Sequence, residues 1–121
     1  MRTRSHFDLK IWQEAHSLTL DIYGLTNSFP RDERFGLTAQ MRRAASSVAA
    51  TIAEGVGRNT TKDFVNFLYM ARGSSHEMMN HLVLARDLGY TGFPKADGLI
   101  ARYKGLAAGI FACITSLKAK I

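Results

Sequence analysis

The residues able to do chemistry are scattered along this chain rather than grouped. The four histidines are His6, His16, His76 and His81. His76 and His81 stand five positions apart, about 140° round a helix, so no single helical face offers both to a metal. No Cys/His spacing suits zinc, and no metal site is expected. Glu77 and His81 lie one turn apart, a pair that reads as a surface contact between helical side chains. Gly55-Val56-Gly57, followed by Arg58, Thr60, Thr61 and Lys62, brings together the groups that hold phosphate: helix N-terminal amides and two cations. No strand precedes these glycines, and neither the dinucleotide fingerprint nor the Walker pattern is complete. A helix cap and a tight turn are the expected reading. Cys113 falls on an apolar stripe and is expected to be a buried, unactivated thiol. Ser46 and Ser47 have no histidine–carboxylate partners at recognisable positions, and no two carboxylates are spaced for acid–base work. The chain is therefore expected to have no catalytic residues, no cofactor and no enzymatic activity.

The elements that would position these groups are helices. In the first, at about 8–27, Ile11, Ala15, Leu18, Ile22 and Leu25 recur at three- and four-residue steps, while Lys10, Glu14, Ser17 and Asp21 take the opposite face. Phe29-Pro30 follows its end. The second, at about 37–54, carries Leu37, Met41, Ala44, Val48 and Ile52 as its core stripe, with Gly55 as the expected left-handed cap. The third, at about 61–88, opens on the capping box Thr60-x-x-Asp63 and is stopped by Gly89. Its core stripe contains Phe64, Phe67, Leu68, Ala71, Ser75, Met78, Leu82 and Ala85. The fourth, at about 94–119, starts near Pro94 and lines up Leu99, Tyr103, Leu106, Ile110, Cys113, Ile114 and Leu117. No segment alternates with period two for long enough to make a strand. Short connections make consecutive helices antiparallel neighbours, which predicts an all-α, up-down four-helix bundle with both termini at one end.

The bulk numbers agree with one such domain over residues 1–121. A chain of 121 residues is long enough to bury a core without disulfides or metal. Hydrophobic content of 46% and charged content of 21% are ordinary for a globular protein. The lone cysteine fits a reducing cytoplasm. No segment approaches the ~18 consecutive apolar residues of a membrane span, and Met1-Arg2-Thr3-Arg4 has no apolar run behind it, so neither a membrane nor a secretory leader is expected. The net charge of +6 and pI of about 9.8 make a polyanionic partner worth considering.

Two features exceed what one bundle needs. The third helix has a second stripe, Val65, Tyr69, Arg72, His76 and Val83, with Met70, Leu84 and Leu88 on yet another side. A helix apolar nearly all round is usually buried nearly all round. In the fourth helix Gly105 and Gly109 stand one turn apart, with Ala101, Ala108 and Ala112 near them. Each glycine costs ~1 kcal/mol relative to alanine. They mark either a crowded contact inside the bundle or the approach of a helix from another subunit. Together these seven residues, Val65, Tyr69, Arg72, His76, Val83, Gly105 and Gly109, are the expected subunit interface.

Several motifs recur in a fixed order: Phe7-Asp8-Leu9-x-x-Trp12-x-x-Ala15, Phe29-Pro30, Glu33-Arg34-Phe35-Gly36-Leu37-Thr38, Gln40-x-Arg42-Arg43-Ala44, Ile52-Ala53-Glu54-Gly55, and Phe67-Leu68-Tyr69-x-Ala71-Arg72-Gly73-Ser74. In this order the chain resembles a bacterial four-helix-bundle family that includes proteins encoded in intervening sequences of large-subunit ribosomal RNA genes. It is more distantly similar to accessory variability proteins of diversity-generating retroelements. The resemblance runs from Phe7 to about Tyr90. It implies a bundle that assembles into a ring of five copies of this chain, with a non-enzymatic role linked to nucleic acid in the retroelement branch. Ala49 and Thr51 stand where the family often has proline and asparagine, Gly92-Phe93-Pro94 replaces a more acidic start to the fourth helix, and Ser75-His76-Glu77-Met78-Met79 keeps only the glutamate.

Within those motifs, Glu54 and Arg72 are expected to form a charge-assisted pair ordering the second and third helices. Three roles remain open for the whole: an interaction scaffold for itself or a protein partner, an RNA- or single-stranded-DNA-binding accessory protein, and a small-molecule carrier, the last disfavoured by filled core stripes. The residues expected to meet nucleic acid are Arg31, Arg34, Arg42, Arg43, Arg58 and Lys62, with a solvated face as the alternative for Arg42 and Arg43. No aromatic-interleaved basic motif of the single-strand-binding kind is present.

Overall fold

The computed structural model describes residues 5–121; the basic stretch Met1-Arg2-Thr3-Arg4 lies outside them. Among the described residues there are four α-helices and no strand: α1 Lys10–Thr26, α2 Leu37–Val56, α3 Thr61–Asp87 and α4 Phe93–Lys118. Their ends fall within two residues of the expected ones. Two three-residue 3₁₀ turns, His6–Asp8 and Arg31–Glu33, precede α1 and α2; so short a turn leaves no hydrophobic period to read.

Local chemistry explains the helix ends. The Thr60 hydroxyl accepts the Asp63 amide at 3.1 Å and opens α3. At the other end Gly89 takes the left-handed conformation with φ 79°. The Tyr90 amide donates to the Ala85 carbonyl at 2.9 Å and the Gly89 amide to Arg86 at 3.0 Å, the paired closure of a Schellman motif. α2 begins with help from the preceding turn, where one Glu33 carboxylate oxygen accepts the Leu37 amide at 3.0 Å. The other accepts the Tyr90 hydroxyl at 2.8 Å. The Leu37 amide, and after it the Tyr90 hydroxyl, hold the Glu33 carboxyl below its ordinary value.

The core is the set of predicted stripes brought together. Leu18 and Ile22 of α1, Met41, Val48 and Ile52 of α2, Leu68, Met78 and Leu82 of α3, and Tyr103 and Ile110 of α4 are fully buried. Each such aliphatic side chain stabilises the fold by ~1.5–3 kcal/mol. α3 packs extensively on α2 and α4, and α1 on α2; α1 and α4 meet far less. Arg102 of α4 bridges that thin seam, donating to Glu14 at 3.0 Å, to Ser17 at 3.2 Å and to Asp21. The side of α1 expected to face solvent is thus the side that holds α4. Near the same seam, the Ile11 methyl would lie 3.4 Å from a Cβ on Gly109, so the start of α1 and the end of α4 share one end of the bundle, as expected. α4 is also long and apolar enough, by length and composition, to cross a membrane; its apolar stripe here packs inside the bundle.

Two expectations are corrected by this packing. Gly55 is not a left-handed cap. α2 continues through Val56, and the terminating residue is Gly57 at φ −77°. Gly55 is buried inside the helix because a Cβ there would lie 2.8 Å from the Phe67 Cβ and 2.9 Å from Phe64 Cδ1. The Glu54–Arg72 pair does not form. Gly55 lies beside Phe67, and the Ser47 and Ser74 hydroxyls meet at 3.3 Å. That antiparallel register sets Arg72 level with Ala49, about 7.5 Å along the axis from Glu54 at 1.5 Å per residue. The Arg72 guanidinium instead covers the Phe111 ring, 4.7 Å from its centroid.

Candidate functional site

The six basic residues expected to meet nucleic acid divide into three groups. Arg31, Arg34 and Arg42 border one cavity of about 490 Å³ at the turn between α1 and α2. Arg58 and Lys62 sit at the far end of α2, about 30 Å away for a helix of this length; the Arg58 guanidinium lies 5.0 Å from the Phe67 ring centroid. Arg43 is exposed on the outer face of α2 and joins neither.

The cavity follows from the way α1 stops and α2 starts. Phe29-Pro30 ends the chain's helical run, and the 3₁₀ turn carries Arg31 and Arg34 back over the first turn of α2. Phe29 is buried against Tyr90, with ring centroids 5.4 Å apart, and forms an apolar wall with Pro30. Arg42 is held by three acceptors: its Nε donates to Thr26 Oγ1 at 2.9 Å, and one terminal nitrogen donates to Asn27 Oδ1 at 3.1 Å and the Tyr23 carbonyl at 3.4 Å. Its guanidinium also stacks 4.6 Å from the Tyr23 ring centroid. Part of the negative end of the α1 dipole is thereby neutralised by Arg42. Arg34 rests 4.8 Å from the ring centroid of Phe35, whose side chain is 84% exposed. Neither Arg31 nor Arg34 has a carboxylate partner among the described residues, although Asp32 and Glu33 are adjacent in sequence. Glu33 is turned to Leu37 and Tyr90, and neither acid lines the cavity.

The expected interface residues are also redistributed. Val65 is 5% exposed and belongs to the core of its own subunit, so it leaves that set. Tyr69 receives a bond from Lys118 Nζ at 3.4 Å, and Arg72 covers Phe111, so this stripe is partly capped along the α3–α4 seam. His76 is exposed and Val83 borders on exposure. The most exposed apolar side chains on α3 are Met70 (58%), Leu88 (50%) and Leu84 (45%); Leu84 and Leu88 adjoin one turn apart, while exposed Glu77 separates them from Met70. Gly105 and Gly109 line a second cavity, about 330 Å³, in the thin seam between α1 and α4. A Cβ on Gly105 would meet nothing within 4 Å, so crowding inside the bundle does not require that glycine.

Among the described residues no three His, Cys, Asp or Glu side chains gather in metal-binding range. His81 departs from the expected surface histidine: it is buried, its Nε2 lies 3.1 Å from Glu77 Oε2, and its Nδ1 has no partner among the described residues. It falls between Met78 and Ala85 on the side of α3 that packs inward. The Tyr103 hydroxyl is likewise buried without a partner, and burial pushes its ionisation above the ordinary range. Cys113 is half-buried, and burial raises its pKa, the opposite of activation.

The sequence showed the arginines but not their meeting, because only the turn at Phe29-Pro30 folds residues 31 and 34 over residue 42. It missed Arg102, Glu33 and Tyr90. Glu33 and Tyr90 are 57 positions apart, and no local spacing signals such a contact.

The model of the 23S rRNA-intervening sequence protein family matches residues 7–112. No curated protein matches the sequence significantly. Similar solved structures include a protein of unknown function from the S23 ribosomal protein family of Bacteroides thetaiotaomicron, 18% identical, with a TM-score of 0.77 over 86% of this chain and 97% of that one. At that identity the likeness establishes the fold.

Proposed function

This chain belongs to the 23S rRNA-intervening sequence protein family, and from that premise we propose that it is a non-enzymatic scaffold that assembles with copies of itself, as a ring of five. The observation that carries the reading is the uncovered apolar face of α3. At the C-terminal end of α3, Val83, Leu84 and Leu88 lie together and exposed, and water contact over such a patch is relieved when a second surface covers it. The open α1–α4 seam at Gly105 supports the same reading, since a Cβ there would meet nothing within 4 Å, which leaves room for another helix. The number five rests on the family resemblance alone. Light scattering at micromolar concentration is expected to return five times the 13.4 kDa chain mass, and Leu84→Glu with Leu88→Glu to reduce it to one. A wild-type protein that runs as a single 13.4 kDa species overturns assembly; a tetramer overturns only the stoichiometry.

A second reading, binding of RNA or single-stranded DNA, is favoured by the convergence of Arg31, Arg34 and Arg42 and by the +6 charge of each chain, which a ring multiplies. Multivalency raises affinity without new contacts. Anisotropy titration with single-stranded RNA is expected to show log affinity falling with log salt by about 0.7 per phosphate neutralised. No binding at tens of micromolar protein in ~50 mM salt would leave the scaffold alone, and binding indifferent to salt would exclude an electrostatic mechanism.

A further inference from the structure

We propose that the cavity at the α1–α2 turn is a binding site for a phosphomonoester of nucleotide size. The proposal goes beyond assembly and beyond sequence-independent attraction to a polyanion, because the cavity is formed within a single chain and Arg42 is held in place at it.

Four observations converge on this chemistry. First, Arg31, Arg34 and Arg42 border one cavity that no carboxylate lines. Three guanidiniums without a neutralising acid favour a dianion over the single charge of a backbone diester. Second, the cavity opens at the first turn of α2. The Leu37 amide is taken by Glu33, but the Thr38 and Ala39 amides have no acceptor among the described residues. Amides left over at a helix start attract anions. Third, Thr38 is only 7% exposed, lines the cavity, and its hydroxyl makes no hydrogen bond to any described residue. Its Oγ1 is not sealed off from solvent, as the Tyr103 hydroxyl is, so it remains free to donate to a ligand in the cavity. Fourth, the volume of about 490 Å³ exceeds what a phosphate alone would fill and lies in the range of small-ligand pockets. The wall of Phe29 and Pro30 provides an apolar surface for the remainder of the ligand.

The residues divide into roles. Arg42 is pre-positioned by Thr26, Asn27 and Tyr23, so little freedom is lost when it meets the ligand. Arg31 and Arg34 are exposed and close over the phosphate. Thr38 donates its hydroxyl, and its free amide lies at the same helix start.

Calorimetric titration in phosphate-free buffer, with inorganic phosphate, AMP and adenosine as probes, tests this. AMP and phosphate are expected to bind and adenosine not to. Arg31→Ala combined with Arg34→Ala is expected to weaken AMP at least about tenfold with an unchanged melting curve, since neither side chain is part of the core. Arg58→Ala combined with Lys62→Ala, at the other end of the bundle, leaves AMP affinity unchanged. Two sources of the same chemistry are separated by a 5′-phosphorylated RNA octamer and its 5′-hydroxyl twin. Preference for the phosphorylated octamer over AMP identifies a chain end as the ligand, and equal affinity identifies a free nucleotide. The proposal is overturned if neither phosphate nor AMP binds up to about 10 mM, if adenosine binds as well as AMP, or if the Arg31/Arg34 double variant binds AMP like the wild type. Light scattering on the same samples reports assembly independently, so loss of the ring and loss of the site are read apart.

Discussion

Val48→Asp is expected to unfold the protein. Val48 is fully buried on the core stripe of α2, where α2 packs on α1 and α3. A carboxylate placed there has no cation to meet and loses its hydration, at a cost of several kcal/mol. Against a typical domain stability of ~5–15 kcal/mol that is most or all of the margin. Burial favours the neutral carboxylic acid. The variant's folded state therefore holds its proton more tightly than its unfolded chain does, and the penalty is smallest in acid and grows as pH rises through the carboxylate range. Ala50→Asp makes the matched control. Ala50 is two residues away and exposed, so the same charge should change stability by no more than about 0.5 kcal/mol. Thermal melting by circular dichroism checks both. A soluble Val48→Asp protein with an unchanged melting temperature would mean that α2 turns another face to the core.

Gly55 carries the second large effect. Glycine inside a helix ordinarily gains ~1 kcal/mol on replacement by alanine. Here the new Cβ would stand 2.8 Å from the Phe67 Cβ. A Cβ is bonded directly to the backbone and cannot swing aside as the end of a long side chain can, so α2 and α3 must separate. Overpacking of that kind costs about 1–3 kcal/mol. Gly55→Ala is therefore expected to destabilise despite the better helix propensity, and Gly55→Val to do so further, since its branches point at the Phe64 ring. Gly57→Ala is the contrast: its Cβ would meet the nearest atom, the Glu54 carbonyl oxygen, at an ordinary 3.5 Å, and its melting temperature should hold or rise. If Gly55→Ala raised the melting temperature as an open helical glycine would, the close approach of α2 and α3 would be refuted.

These two positions differ in how they are read. Val48 is legible from sequence because Leu37, Met41, Ala44, Val48 and Ile52 repeat at helical steps, and a residue's phase on its own helix is a local property. The same holds for the four helices, their ends to within two residues, and nearly the whole core. Gly55 is not legible in that way. A glycine at the end of an apolar stripe signals a cap, and only the presence of Phe64 and Phe67 across the gap turns it into a contact between helices.

The same division runs through the candidate sites. Sequence alone identified which arginines were available, and it marked α3 as more apolar than one bundle requires. It paired Glu54 with Arg72 because both stand in motifs at the α2–α3 junction, but the antiparallel register separates them along the axis. It placed Glu14, Ser17 and Asp21 on the face opposite the core stripe, while the packing of α4 on that face brings Arg102 onto all three. It counted six cations as one set, and the length of α2 divides them between opposite ends of the bundle, leaving Arg31, Arg34 and Arg42 at one cavity. Periodicity determines the inward face of each helix because burying apolar surface depends on spacing along one element. Register, tilt and azimuth between helices are set by side-chain interlocking across elements, and those decided which charged groups meet.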